Sequence, residues 1–575
     1  MLPPTVDKGR GQRTRTNVRQ SKYGCFTCKY RRVKCDEWKP SCRRCLSAKR
    51  QCLGYPPGAP PGPRTPRLVD TSDSASSQTD SGTPPGPNYN PSNPQNRFVS
   101  LARSVLRHGP RRAKSDVEVS FWTYLVPQLT QSIPSVRAAA AAFGASYERH
   151  VLRGGGDRAC PEVEAVKWHT QALRQIRAEV SDVSGLRNRA IPCIVACLFL
   201  AFTEVLQHRT DKGHLHLQGV FALLMTAAGA GADGKLTPTA DEDEIALIFH
   251  KLDLQSATYA LGRPPNLAPP SPPVTAEAFL LAPPDRVLFR VLHSCYHFTS
   301  AAYPYRYVSR RLIPAELLIE QGRHLGLLQH WLRLHSTTSS ILLRAQALAA
   351  FVYVATIFQP HETAFDAHGP EFQEIITLSA AALLDEGTET ETERACPSSS
   401  SGLLPRLPAF SPEMGIIQPL FFAALKYRHP MWRRKALGLL RKSGREGPWC
   451  GEVEAAVASA VIRAEEEGLP PVVLPPGKED HVALALQEPS RVVEARRVHA
   501  CSMAVVADGG REPDKASHDG IIGVASRPTV VEVRLSRCRN VDGMLSESGR
   551  APSGYPWKDQ THWETWIETM ETSTV

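Results

Sequence analysis

The chain has 575 residues, which is longer than one hydrophobic core normally spans, so two or three domains are expected. It is 42% hydrophobic and 22% charged, as folded proteins are, and its 48 prolines indicate linkers. No apolar run reaches the roughly 18–20 residues of a membrane-spanning helix, and the basic N-terminus does not resemble a secretory signal. We therefore expect no membrane partner and a reducing compartment.

Positive charge is concentrated at the N-terminus. Residues 1–55 hold 15 Lys and Arg against three Asp and Glu, a net charge of +12, whereas the remainder holds 53 against 54, a net charge of −1. This distribution favours a head that binds a polyanion, followed by a neutral body. A solvated basic tail is the alternative.

Composition divides the chain into five segments. The boundaries predict a basic disordered arm (1–24), a cysteine-rich module (25–52), a linker rich in Pro, Gly and Ser (53–96), a helical domain (97–470) and a loop-rich tail with short strands (471–575). In the tail, Val492-Val493 and Val530 to Val533 are the segments typical of strands.

Apolar residues at helical spacing predict a mostly all-α body. The predicted helices are 116–126, 135–150, 162–180, 188–207, 212–228, 241–261, 285–302, 339–358, 366–384, 412–427, 430–442 and 451–467. Loops are predicted at 263–273, 386–411 and 468–477.

The cysteines of the module follow a doubled spacing. The unit C-x2-C-x6-C occurs twice, and six of the chain's 14 cysteines fall within 28 residues: Cys25, Cys28, Cys35, Cys42, Cys45 and Cys52. In a reducing compartment this density favours a metal site over disulfides. Structural zinc prefers four thiolates or imidazoles, and the first histidine is His108. Two zinc ions need eight ligand positions, so two of the six sulfurs would bridge, one from each unit.

Two other arrangements of these cysteines remain open. One is a single four-cysteine zinc site on Cys25, Cys28, Cys42 and Cys45, which would leave Cys35 and Cys52 without a role. The other is a redox Cys-x-x-Cys, although no βαβ pattern surrounds it.

The spacing, the basic residues between the cysteines and Pro40 resemble the Zn2Cys6 binuclear cluster of fungal transcription factors. The resemblance implies that Cys25 and Cys42 bridge two Zn²⁺ ions. One ion would then be held with Cys28 and Cys35, and the other with Cys45 and Cys52. A module this small has no hydrophobic core, so zinc must hold its fold.

Basic residues of the module are candidates for DNA contacts. The first six-residue stretch, Lys29 to Lys34, carries four positive charges and is the better candidate for a helix facing the major groove. The resemblance places base reading at Arg31 and Arg32 and implies CGG-type triplets. Phosphate contacts are predicted at Lys29, Lys34, Arg43 and Arg44. No sustained heptad repeat lies between 56 and 115, which leaves monomeric binding or a homodimer formed through the helical body.

The body resembles the fungal-specific regulatory domain that accompanies such clusters. The segments that carry this resemblance are Phe121-Trp122 with Ser135 to Ala139, Ile194 to Phe202 with His216 to Gly219, Met414 to Leu420, Lys426 to Arg434, and Glu465 to Gly468. The family implication is a regulatory domain, often of specialised-metabolite genes.

No catalytic signature is present. His293 and His297 have zinc-compatible spacing but no third ligand, and Cys193 and Cys197 are expected to be buried. The acidic stretch Asp385 to Glu393 is expected to be a solvated loop, with an activation segment as the alternative. We therefore predict a nuclear, non-enzymatic, sequence-specific transcription factor for RNA polymerase II genes, whose partners are double-stranded DNA and the transcription machinery. The alternative is a zinc-stabilised basic module that binds nucleic acid or acidic partners without sequence choice.

Overall fold

The computed structural model describes residues 23–30, 33–37, 42–48, 52, 55, 93–108, 121–151, 161–181, 186–227, 242–259, 263–269, 279, 282–335, 341–394, 410–469, 492–506, 530–547 and 561–572. The chain divides into two compact units, Met1–Tyr89 with Pro238–Glu242 and Asn90–Thr237 with Asp243–Val575. The predicted arm and linker lie almost wholly outside the described residues.

The first unit contains two short helices, α1 (Phe26–Tyr30) and α2 (Arg43–Ser47). Its only described apolar cluster is made of cysteines, with Val33 and Tyr55 packed against them. Five of these cysteines have 5% exposure or less. The described part of this unit therefore has little besides its thiols to stabilise it.

The second unit begins with helices that enclose one core. They are α3 (Pro94–His108), α4 (Val126–Ser132, preceded by a π-helical turn at Phe121–Leu125), α5 (Pro134–His150), α6 (Pro161–Ser181), α7 (Leu186–Leu206) and α8 (Thr210–Ala227). Helix α5 lies at the centre and packs against α3, α6 and α7, because its alanines 138–142 are fully buried and permit close approach. At Gly144 a Cβ atom would lie 2.0 Å from the Phe98 carbonyl oxygen, so α3 crosses directly over this glycine.

The middle of the unit is a second helical layer. It contains α9 (Glu242–Tyr259), α10 (Pro284–Ala302), α11 (Ala315–Leu334), α12 (Ile341–Thr356) and α13 (Gly369–Arg394). Helix α12 is apolar on nearly every face and packs against α10, α11 and α13. A 3-10 turn, Glu362–His368, connects α12 to α13.

Three further helices and a small sheet follow. The helices are α14 (Ile417–Lys426), α15 (Pro430–Lys442) and α16 (Gly451–Glu466), and the strands are β1 (Phe410–Ser411), β2 (Arg445–Glu446) and β3 (Trp449–Cys450). Strand β2 pairs in parallel with β1 and antiparallel with β3. The Glu446 carboxylate accepts hydrogen bonds of 2.9–3.0 Å from the amides of Gly415, Ile416 and Ile417, and so satisfies the first N–H groups of α14.

An antiparallel sheet completes the unit. Its strands, in order, are β4 (Ala500–Val506), β5 (Val530–Cys538) and β6 (Trp563–Glu571), with α17 (Val541–Glu547) between β5 and β6. The inward residues of β5, Val531, Val533 and Leu535, are fully buried against Val453 and Val457 of α16. The sheet therefore forms one wall of the core.

The predicted all-α character of the body is confirmed, and most predicted helices lie within a few residues of their observed bounds. Helices α3 and α11 were not predicted. In α11 the glycines Gly322 and Gly326 interrupt the apolar pattern, although neither has a neighbour within 4 Å of an added Cβ. Helix α13 continues to Arg394, through the acidic stretch Asp385 to Glu393 that was predicted to be a loop. The apolar pattern ends near Leu384, but glutamate supports a helix without it.

The tail prediction holds in part. Val530 to Val533 lie in β5, as predicted, whereas Val492 and Val493 precede a 3-10 turn, Glu494–Arg496, and lie in no strand. Strands β4 and β6 were not predicted. Among the described residues, no helix is both long and apolar enough to cross a membrane.

Candidate metal centre

The described residues of the two C-x2-C-x6-C units fold in the same way. Cys25 directly precedes α1, and Cys42 directly precedes α2. The amide of Cys28 donates to Cys25 Sγ at 3.3 Å, and the amide of Cys45 donates to Cys42 Sγ at 3.2 Å. The first sulfur of each unit therefore accepts a hydrogen bond from the first turn of the helix that follows it.

The correspondence extends to the third cysteine of each unit. The amide of Cys25 donates to Cys35 Sγ at 3.2 Å, and the amide of Cys42 donates to Cys52 Sγ at 3.3 Å. The doubled sequence unit is thus a doubled hydrogen-bond pattern, in which backbone N–H groups point at the sulfurs. Such N–H donors stabilise thiolates, the form that binds metal.

The sulfurs of the two units meet at one place. Cys25 Sγ lies 3.5 Å from Cys42 Sγ and 3.8 Å from Cys45 Sγ, and Cys28 Sγ lies 3.4 Å from Cys42 Sγ. Four sulfurs arranged tetrahedrally at about 2.3 Å from zinc are separated by about 3.8 Å. The observed separations are close to this value, so the thiols fit zinc.

Two sets of four sulfurs satisfy this spacing. One set is Cys25, Cys28, Cys35 and Cys42, the other is Cys25, Cys42, Cys45 and Cys52, and within each set all sulfurs lie within 4.8 Å of one another. Cys25 and Cys42 belong to both sets. These are the two residues to which the family resemblance assigns the bridging role.

The four thiols of the single-site alternative are also close, because Cys28 Sγ and Cys45 Sγ lie 3.8 Å apart. That arrangement would leave Cys35 and Cys52 unused. Both of these sulfurs nevertheless lie within 4.8 Å of the other members of their sets. The binuclear arrangement therefore accounts for more of the structure.

The chain turns sharply after Cys35. Glu37 has a φ of 56°, in the left-handed region, and its amide donates to Cys35 Sγ at 3.3 Å. Burial disfavours the Cys35 thiolate, but the amides of Cys25 and Glu37 favour it, and the pKa of this thiol lies below its ordinary value. Burial raises the pKa of the Cys25 thiol well above its ordinary value, so a metal ion must displace a proton there.

The predicted DNA-contact residues are placed unequally. Lys34 and Arg44 are exposed, and Lys29 is half-buried in the last turn of α1. Arg43 begins α2, but its side chain lies outside the described residues, as do Arg31 and Arg32 altogether. The residues on either side of that gap are joined by a hydrogen bond of 3.0 Å from the Val33 amide to the Cys28 carbonyl.

The histidines of the body have ordinary partners. His293 is buried, with Nε2 3.4 Å from His250 Nδ1 and 3.5 Å from an Asp253 oxygen, and His297 Nε2 lies 2.8 Å from the Leu267 carbonyl oxygen. Cys193 and Cys197 are buried, as predicted.

One histidine group was missed by the sequence reasoning. His169, Glu204 and His216 place ligand atoms within 4.8 Å of one another, from three different helices. The Glu204 carboxylate already lies 3.1 Å from His169 Nε2 and 3.8 Å from an Arg209 nitrogen. No spacing in the sequence indicates this group, because its members come together only through helix packing.

Segments of the proposed regulatory domain meet in a buried network of charges. Glu465 accepts from Arg428 at 3.0 Å and from Arg433 at 2.8 Å, and all three side chains have no exposure. Arg428 also donates to Glu362 at 2.9 Å, and Lys426 donates to the same carboxylate at 2.7 Å. Burial opposes ionisation of Glu362, but these cations and Arg306 hold its pKa far below the usual range. The network joins α14, α15 and α16 to the turn before α13.

Comparison with known proteins agrees with this geometry. Residues 23–59 match the fungal Zn(2)-Cys(6) binuclear cluster domain. The chain is similar to an uncharacterized transcriptional regulatory protein of Schizosaccharomyces pombe, at 33% identity over 140 residues, or 23% of this chain and 25% of that protein. No solved structure matches the chain significantly.

Two other relatives are similar over shorter regions. The aspercryptin biosynthesis cluster-specific transcription regulator of Emericella nidulans is 49% identical over 55 residues, or 10% of this chain and 7% of that protein. A transcription factor of Flammulina velutipes is 42% identical over 64 residues, or 11% of this chain and 22% of that protein. The chain thus spans about a quarter or less of the length of each of these relatives.

Residues 23–59 therefore form a domain similar to the fungal Zn(2)-Cys(6) binuclear cluster, and the relatives that match parts of the chain are named as transcription regulators. The cofactor of this domain is a pair of zinc ions, as predicted.

Proposed function

We propose that this protein is a nuclear, sequence-specific DNA-binding transcription factor that regulates RNA polymerase II genes. The observation that carries the proposal is the pair of cysteine sets sharing Cys25 and Cys42, within a segment of net charge +12. A cluster that fixes two short helices in a basic segment is suited to present cations to a duplex.

The six cysteines act as the metal ligands in this proposal. Cys25 and Cys42 bridge the two zinc ions, Cys28 and Cys35 complete one site, and Cys45 and Cys52 complete the other. Six thiolates and two Zn²⁺ sum to a charge of −2, which the surrounding Lys and Arg offset. The support is the shared membership of Cys25 and Cys42 in both sets.

The basic residues divide between two tasks. Arg31 and Arg32 read bases, because a guanidinium matches O6 and N7 of guanine, and the half-sites are CGG-type triplets. Lys29, Lys34, Arg43 and Arg44 contact phosphates and position the module without reading sequence. The exposure of Lys34 and Arg44 supports the second role.

The body supplies regulation and contacts with the transcription machinery, and the chain would bind DNA as a monomer or as a homodimer formed through this body. The similarity to a regulator specific for the aspercryptin biosynthesis cluster supports a role in a specialised-metabolite gene cluster. That similarity spans only 55 residues and does not transfer the target genes of the relative to this chain. The target genes must be identified from the DNA sequence that this chain binds.

The test is a titration of the zinc-loaded full-length chain against a CGG-containing duplex and a scrambled duplex of equal composition, at one salt concentration. We expect tighter binding to the CGG duplex. Arg32→Ala should remove this preference, while Lys34→Ala should weaken binding to both duplexes and reduce the salt dependence. Equal binding of both duplexes by the wild-type chain would instead favour a basic interaction module without sequence choice.

A further inference from the structure

A cavity of about 580 Å³ lies inside the second unit, within the size range of small-molecule sites. Its walls come from α7 to α10, α12, α14, α16 and β4, and apolar and aromatic side chains predominate. Five tyrosines line it: Tyr259, Tyr296, Tyr303, Tyr307 and Tyr353. Neither the cluster nor the proposed DNA contacts use this space.

One wall carries a buried acid. Glu454, Val457 and Val461 all line the cavity, and their spacing of three and four residues places them on one face of α16. Glu454 is only 1% exposed, and neither of its carboxyl oxygens has a hydrogen-bond partner among the described residues. An unpartnered buried acid is costly to the fold, so its presence calls for an occupant.

The other buried acid of the lining shows the contrast. Glu362 binds Arg306 at 3.1 Å and Lys426 at 2.7 Å, and both of these cations also line the cavity. Each of these cations therefore already has a carboxylate partner. Within the described part of the chain, no such cation pairs with Glu454.

We propose that this cavity binds a small organic amine with an apolar or aromatic body, whose ammonium group pairs with Glu454. The tyrosine rings would surround the apolar body, and their faces favour a neighbouring cation. Tyr259 interacts electrostatically with Glu454, and both residues line the cavity.

A second anchor lies on α9. Gln255 lines the cavity, is 2% exposed, and its Nε2 has no partner among the described residues. Its amide is held against Gly447, where a Cβ atom would lie 2.4 Å from Gln255 Oε1. A hydrogen-bond acceptor on the ligand would satisfy this donor.

Binding of an amine in this way releases a proton. Burial raises the pKa of Glu454 to about 8, so near neutral pH its carboxyl group is mostly protonated. The titratable groups that interact with Glu454 are Tyr259 and Cys501, and burial raises the pKa of both, so both are neutral there. The amine enters already protonated and stays so, while the carboxyl group of Glu454 becomes a carboxylate beside it and its one H⁺ passes to solvent.

The experiment uses the zinc-loaded full-length chain and three probes of similar shape: 2-phenylethylamine, 2-phenylethanol and 3-phenylpropionate. Calorimetric titrations between about pH 6 and 7, in two buffers of different ionisation enthalpy, give affinity and proton release together. We expect the amine to bind best and to release about one proton. Glu454→Gln should reduce amine affinity roughly tenfold or more and abolish proton release.

Glu452→Gln is the matched control, because Glu452 is a half-buried acid on the same helix that does not line the cavity. It should bind the amine as the wild type does. The proposal is overturned if the amine does not bind at up to about 10 mM, if the three probes bind equally, or if the wild type releases no proton. If Glu454→Gln fails to fold, the number of protons that the wild-type chain releases on binding the amine still tests the proposal. None of these readouts involves DNA, so they are independent of the proposed function.

Discussion

Arg433 and Glu465 form an ion pair of 2.8 Å in which neither side chain is exposed to solvent. Arg428 binds the other carboxylate oxygen of Glu465 at 3.0 Å, and the Val498 amide donates to that oxygen at 2.8 Å. Glu465→Gln would leave these buried guanidinium groups undercompensated. We expect it to lower the free energy of unfolding by about 3–5 kcal/mol, measured by urea denaturation.

A surface acid provides the control for that measurement. Glu164 pairs with Lys167 at 3.1 Å, and the Lys167 side chain is 55% exposed, so water screens the interaction. Glu164→Gln should cost less than about 1 kcal/mol. Equal losses in the two variants would mean that burial does not set the strength of these pairs.

Removal of zinc should unfold the module and leave the body intact. The described part of the first unit has little apolar packing besides its thiols, whereas the second unit has several cores of its own. We expect a chelator to abolish DNA binding while the helical circular dichroism signal of the full chain changes little. A large loss of helix on chelation would contradict this expectation.

The shared cysteines predict unequal effects of substitution on metal content. Cys25→Ser removes a sulfur from both sets, whereas Cys28→Ser removes one from a single set. Mass spectrometry of the purified chains should give two zinc ions for the wild type, about one for Cys28→Ser, and fewer for Cys25→Ser. Cys193→Ser, which alters a buried thiol outside both sets, should retain two. The bridging role fails if Cys25→Ser and Cys28→Ser hold equal amounts.

Glu454 should make the body less stable as pH rises. Burial raises its pKa from 4.5 to about 8, so between these values the folded chain keeps a proton that the unfolded chain releases. The stabilisation that this retained proton gives is complete below about pH 4.5. Above that pH the free energy of unfolding falls by up to about 1.4 kcal/mol per pH unit towards pH 8. The difference in melting temperature between wild type and Glu454→Gln should therefore change across this window. The proposed pairing with an amine would reduce the loss, and Glu452→Gln should follow the wild type throughout.

The C-terminal sheet should contribute to the stability of the body. Leu535 in β5 is fully buried against α16, so Leu535→Ala should lower the free energy of unfolding by about 2–5 kcal/mol. Ile567 in β6 lies opposite Arg534 in β5 but is 55% exposed. Ile567→Ala should therefore change the free energy of unfolding by less than about 0.5 kcal/mol. Similar effects of the two substitutions in thermal denaturation would argue against a packed sheet.

The sequence predicted the parts of the structure that depend on local spacing. The doubled cysteine unit predicts the cluster because the same spacing builds the same hydrogen bonds twice, as at Cys28 and Cys45. Most helices were predicted because their apolar faces recur along the chain. The DNA-reading roles of Arg31 and Arg32 stay predictions, since both residues lie outside the described part of the chain.

Long-range packing was beyond reach of the sequence. The cavity joins residues as distant as Ala201 and Met503, and no local pattern links them. The sequence does place Glu454 between Val453 and Val457 in an apolar helix, which is compatible with a buried acid. An acid on a solvated helix face would give a similar pattern. In β6 only Trp563 is buried, and the other residues alternate between half-buried and exposed without a matching apolar alternation in the sequence. Only the pairing with β5 therefore identifies this strand.

The position of β6 also sets an order of events during synthesis. All nine residues of β5 pair with β6, and the inner face of β5 closes the core over α16, so this wall is incomplete until residues 563–571 have left the ribosome. The last cysteine of the cluster, Cys52, is made about 520 residues earlier, which at about 5–20 residues per second is on the order of half a minute to two minutes. The metal-binding head can therefore acquire its ions and fold while most of the body is still being translated. A nascent chain would thus hold zinc before its body has folded. A shortage of zinc during that interval would impair folding of the cysteine-rich module without impairing folding of the body.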